Sequence, residues 1–101
     1  MTAFLIERDV FAVDVYFSED AMSVSLYDGR ILSVPLAWYP RLLCGTRKER
    51  ECFELISDGE GIHWPELDED ISVEGLLAGL RSSESSRSLS RWKERRAAAR
   101  I

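Results

Sequence analysis

The sequence is poor in the residues that most often carry chemistry or cross-links: 101 residues hold two cysteines, one histidine and three prolines. The lone histidine, His63, has no thiolate pair at ligand spacing, so it supports neither a zinc site nor a nucleophilic triad. Cys44 and Cys52 stand eight positions apart in a segment read as helical, which separates them by about 12 Å, too far for a disulfide. Both are expected to be reduced and partly buried. No apolar run approaches the roughly 18 residues of a membrane helix, and residues 1–6 lack a cationic stretch leading into one, so a cytoplasmic location without membrane contact is expected. Gly59 and Gly61 make no phosphate loop, because the Lys-Ser/Thr that should follow is missing. No cofactor, no metal and no enzymatic activity are expected.

What is present is enough for one core. Hydrophobic residues make up 46% of the chain, an ordinary value for a single globular domain of this length. The net charge of -5 hides a division: residues 1–80 hold 6 Lys/Arg and 16 Asp/Glu, hence -10, and residues 81–101 hold 7 and 2, hence +5. The chain reads as an acidic body, residues 1–80, followed by a basic tail, residues 81–101.

Periodicity predicts a small α+β fold. Phe11, Val13, Val15 and Phe17 alternate, as do Met22, Val24 and Leu26, and each run reads as a half-buried strand. Asp28-Gly29 then predicts a two-residue type I′ hairpin, and residues 30–36 a third strand that Pro35 ends or confines to a sheet edge. Pro40 opens a long helix over residues 41–55. Ile62-His63-Trp64 is a brief fourth strand, and Ser72 caps a short helix over residues 73–80. The prediction is an antiparallel meander of three to four strands packed on one longer and one short helix. Residues 82–88 contain no apolar side chain and read as a flexible linker, and residues 89–101 as a basic, helix-prone tail that orders only against a partner.

Three strings go beyond pattern: Asp28-Gly29-Arg30, the run from Val34-Pro35-Leu36-Ala37-Trp38-Tyr39-Pro40 to Arg41-Leu42, and the run from Gly61-Ile62-His63-Trp64-Pro65-Glu66 to Ala78-Gly79. Over residues 10–80 the chain resembles the bacterial family called domain of unknown function 2442, departing from it at Cys44-Gly45 and Cys52-Phe53. The resemblance implies a small α+β domain without assigned chemistry. It also implies a protein partner, because members of the family are often encoded beside another small protein in a pairing read as toxin and antitoxin.

The candidate residues follow from these readings. Trp38, Tyr39 and Trp64 are amphipathic aromatics for which core packing and a partner interface are both open. Arg41 stands beside them as an anchor for carboxylates or for a partner. His63, Asp68 and Asp70 complete the expected partner-binding set, the acids as attraction for a basic partner and as dipole partners of the following helix. In the tail, Arg87, Arg91, Trp92, Lys93, Arg95 and Arg96 suit an acidic protein groove or nucleic-acid phosphates, or fold back on the acidic body. Three functions are therefore expected in order: a protein-interaction module acting as an antitoxin; a dimeric DNA-binding regulator working through the tail; and an enzyme using His63 with a nearby carboxylate.

Overall fold

The computed structural model describes residues 10–99. The first three strands form as the alternation requires: β1 (Ala12–Phe17), β2 (Ala21–Leu26) and β3 (Ile31–Pro35) make an antiparallel meander in the order β1-β2-β3. Val15 stands opposite Val24, and Met22 opposite Val34, so one face of the sheet carries the core. The register slips between Ala12 and Asp14, and this bulge turns Val13 outward. Pro35 closes β3, where its missing donor is tolerated.

The hairpin differs from the expected type I′ turn. Only Gly29 has a positive φ, of 97°, and Leu26 N–H bonds to the Arg30 carbonyl, which makes a three-residue loop of Tyr27, Asp28 and Gly29. Asp28 holds this shape by accepting from the Arg30 N–H at 3.1 Å and from Arg30 Nε at 2.8 Å.

The predicted long helix is absent. A 3-10 turn (Leu36–Trp38) leads into α1 (Pro40–Cys44), and after Gly45-Thr46 comes a second single-turn helix, α2 (Arg47–Glu51). Thr46 is the reason for the break. Its Oγ1 accepts the Glu49 N–H, and Glu49 Oε1 accepts the Thr46 N–H, a reciprocal cap that starts a new helix at residue 47. Gly45 fits the break because a Cβ there would meet Leu67 Cδ2 at 2.7 Å.

A second sheet takes the place of the single brief strand. β4 (Glu54–Ile56), β5 (Gly61–Trp64) and β6 (Glu69–Ser72) pair antiparallel with β5 in the centre. Residues 69–72, expected as the lead into a helix, are thus a strand, although Ser72 does cap the short α3 (Val73–Leu77) through the Gly75 N–H. The two sheets share one core, in which Met22, Leu36, Leu42, Ile62, Trp64 and Leu67 are all but fully buried. The Phe17 and Trp64 rings meet edge to face at 6.4 Å, and Trp64 Nε1–H donates to the Arg50 carbonyl at 2.9 Å.

The chain beyond residue 80 also departs from expectation. The stretch before residue 86 has no regular structure but is tied down: Ser82 N–H bonds to the Trp38 carbonyl, and Glu84 is held by Arg41. The helix α4 (Ser86–Ala99) then lies on the body, with Trp92 in the common core. No helix among the described residues is long and apolar enough to cross a membrane.

Gly59 joins the two sheets. It sits at φ +97°, and a Cβ there would fall 2.5 Å from the Ala12 carbonyl oxygen, a backbone atom that has little room to move. Gly59→Ala is therefore expected to cost about 2 to 3 kcal/mol, lowering the thermal midpoint by roughly 10 to 20 °C in calorimetry.

Candidate functional site: the seat of the C-terminal helix

The residues with the densest polar chemistry converge where α4 meets the body. Ser88 and Leu89 stand four and three positions before Trp92, and Arg96 four after it, so they share one side of α4, and these are the residues of the helix that lose most of their exposure. Trp92 is 3% exposed. Two guanidinium groups stand near its ring, with carbons 5.3 Å (Arg41) and 4.7 Å (Arg96) from the centroid.

Each guanidinium has a carboxylate partner from the other side of the junction. Arg41, from the first turn of α1, donates Nε to Glu84 Oε1 at 2.8 Å and Nη2 to Glu84 Oε2 at 2.5 Å. Its remaining nitrogen, Nη1, donates to the Asp68 carbonyl at 2.9 Å and to Asp68 Oδ2 at 3.3 Å. Ser88 Oγ adds a bond to Glu84 Oε2 at 2.8 Å. Arg96 makes a two-pronged contact with Glu49, Nη1 to Oε2 at 2.9 Å and Nη2 to Oε1 at 2.8 Å, and reaches the Glu66 carbonyl.

The electrostatic consequences follow the geometry. Hydrogen bonds from Arg96 hold the Glu49 carboxyl at about 2, against burial, which pushes the other way. Arg41 lowers Glu84 likewise, and each arginine is raised in turn by its own carboxylate. Glu69 behaves oppositely: burial raises it, and its Oε2 has no hydrogen-bond partner. It lines a cavity of about 240 Å³ with Tyr39, Asp70, Ser72, Arg81 and Ser82. Burial also raises the Tyr39 phenol, and the neighbouring Glu69 adds to this.

The structure separates the residues singled out from the sequence. Trp64 and Tyr39 belong to the core, and Tyr39 Oη–H donates to the Leu80 carbonyl at 2.7 Å. Trp38 is half-buried beneath the Arg81 guanidinium, 4.5 Å from the ring centroid. Arg41 anchors carboxylates, one of its two expected uses. Asp68 is 80% exposed beside Arg41. His63 lies on the outer face of the second sheet, with Glu54 and Asp70 opposite it and its Nδ1 2.5 Å from Asp70 Oδ1. Among the described residues no group of three or more His, Cys, Asp or Glu side chains is placed to hold a metal ion. Cys44 and Cys52 are both exposed rather than partly buried.

In the tail, Trp92 and Arg96 face the body, while Arg87, Arg91, Lys93 and Arg95 face outward. Sequence reasoning missed Glu49 and Glu84, which lie 47 and 43 positions from their arginines. One local signal was available for Glu49, the Thr46-to-Glu49 spacing of a capping box.

Residues 12–82 match the family model described as protein of unknown function (DUF2442). The chain belongs to this family. The resemblance drawn from the strings around Arg30, Trp38 and His63 is thereby borne out. Two solved structures share the DUF2442 fold of this chain. One is a crystal structure of a protein of unknown function from Rhodospirillum rubrum, 25% identical, with a TM-score of 0.65 over 74% of this chain and 93% of that chain. The other is a solution structure of an uncharacterized protein from Chromobacterium violaceum, 22% identical, with a TM-score of 0.65 over 89% of this chain and 84% of that chain. Residues 1–80 alone cannot supply 89% of 101 residues, so the likeness in fold to the second extends into the C-terminal segment. No curated protein matches the DUF2442 chain.

The Glu49 shift sets a pH window for the docking of α4. A carboxyl depressed on folding contributes its full stabilisation above its ordinary value of 4.5 and loses it as pH falls toward 2. The Trp92 indole resonance is expected to move through that window as α4 loosens. Arg96→Ala should shift the transition upward toward 4.5 and cost about 2 kcal/mol at neutral pH, between the values of exposed and buried pairs.

Proposed function

We propose that the chain is a non-enzymatic, cytoplasmic protein-binding module whose partner docks on the outer face of the β1-β2-β3 sheet. One observation carries the reading. Tyr16 and Ile31 are 50% and 65% exposed on that face. The register sets Tyr16 beside Ser23 and Ser33, and Ile31 beside Ser25, so two large side chains flank a low platform of hydroxyls. A rigid amphipathic tyrosine beside small side chains is a good anchor, because it offers area at little cost in conformational freedom. Val13 and Tyr27 extend the exposed apolar surface at the bulge and hairpin end.

The non-enzymatic part draws support from the surroundings of His63. Asp70 holds its Nδ1 as in an acid-base pair, but Ser72, the hydroxyl two residues along on the same face, accepts the Gly75 N–H as the cap of α3. The finer assignment, neutralisation of a small toxin encoded by the adjacent gene, rests on the family resemblance. Co-expression tests it: the chain should co-purify with the neighbouring gene product and relieve its growth arrest. Tyr16→Glu with Ile31→Glu should weaken binding at least about 30-fold, the loss of a buried anchor, with little change in thermal midpoint. Absence of both co-purification and relief would decide against the antitoxin role.

A second reading has its own observation. Arg87, Arg91 and Arg95 recur every fourth residue along one exposed flank of α4, and among the described residues none of the three forms an ion pair. A dimer could present two such rows to duplex DNA. Three phosphate contacts per row predict a log-log salt slope near -3 per helix in a gel-shift titration; a flat response removes this reading.

A further inference from the structure

The helix α4 depends on its seat more than the seat depends on it. Leu89 and Trp92 are its only large apolar side chains, and an isolated helix of 14 residues is marginal in water. The seat, by contrast, is held in shape by bonds within the body. Arg41 is oriented by the Asp68 carbonyl and carboxylate, and these contacts do not involve the C-terminal segment. Glu49 is oriented by its reciprocal cap with Thr46, again within the body. All four residues lie inside the 12–82 family match, whereas α4 begins at Ser86, beyond its end. The connection from Leu80 to Ser85 has no regular structure that would have to break for α4 to leave.

We propose that this seat is a helix-binding site for a protein partner, occupied in cis by α4 and able to take a basic helix from the partner in its place. The chemistry specifies the occupant. Glu49 presents two carboxylate oxygens to a planar fork, which selects arginine over lysine. An aromatic one turn before that arginine would stack near Arg41, as Trp92 does. Glu66, Asp68, Glu69 and Asp70 surround the seat with negative charge and favour a cationic helix. The site is separate from the Tyr16 and Ile31 face, so either surface can fail its test without the other.

The probe is a fluorescent peptide of residues 84–99, added to the full chain. Wild type should bind it at least about tenfold more weakly than Trp92→Ala, whose own helix has lost its anchor. A peptide carrying the Trp92→Ala change should in turn bind the variant at least about tenfold more weakly than the unaltered peptide. If Trp92→Ala loses its circular dichroism, Arg96→Glu, which repels α4 from Glu49 without opening a hole in the core, takes its place. Hydrogen exchange on wild type gives a second reading: α4 amides should exchange at least about 100-fold faster than those of β2. Equal peptide binding to both chains, no binding to a folded variant, α4 amides that exchange only with β2, or a wild type that dimerises by trading α4 would each overturn the proposal.

Discussion

Burial of the Trp92 ring beside two guanidinium groups is the contact on which the joining of the C-terminal helix to the body depends. A tryptophan contributes more apolar area than any other side chain of α4, but it cannot be seated alone beside arginines unless their charge is balanced. The balance is crosswise: the body supplies Arg41 and Glu49, and the C-terminal segment supplies Glu84 and Arg96. Each of the two guanidinium groups beside the ring is thereby paired across the junction. The opposite net charges of residues 1–80 and 81–101 therefore understate the match, since each side contributes one group of either sign.

This junction recasts the tail. An unattached basic segment could wrap any acidic surface, but with Trp92 and Arg96 turned inward the remaining cations occupy one flank of the docked helix. Arg87, Arg91 and Arg95 then form a row with defined spacing and direction. Arg41 and Arg96 reach the backbone carbonyls of Asp68 and Glu66, while the side chains of Glu66, Asp68 and Asp70 stay exposed beside them.

Much of the fold was legible in the sequence where local pattern and final structure agree. Alternation along β2, Pro35 at the end of β3, Pro40 at the start of a helix and Ser72 as a cap all hold, and the α+β class with them, whereas in β1 the bulge buries Ala12 and turns out Val13, which the alternation had placed on the core face. The misreading of residues 41–55 as one helix came from counting helix-favouring residues, when Thr46 and Glu49 were already placed to restart the chain. β4 is three residues long, too short to alternate, and β6 contains Glu69 and Asp70, which have low strand propensity. Both strands exist because β5, with Ile62 and Trp64 buried, needs partners on either edge. The candidate site was half visible: Arg41 and Trp92 stood out by type, but Glu49 and Glu84 became partners only through contacts across more than forty positions, which no local spacing encodes.

Glu49 serves two structures with one carboxylate. Its Oε1 accepts both the Thr46 N–H that begins α2 and the Arg96 Nη2 that fastens α4, and α2 in turn offers the Arg50 carbonyl to the indole of Trp64 in β5. The C-terminal helix and the central strand of the second sheet therefore each make a polar contact with the same single-turn helix. The short helix that interrupts the chain at residue 47 thus touches both the seat of α4 and the central strand of the second sheet.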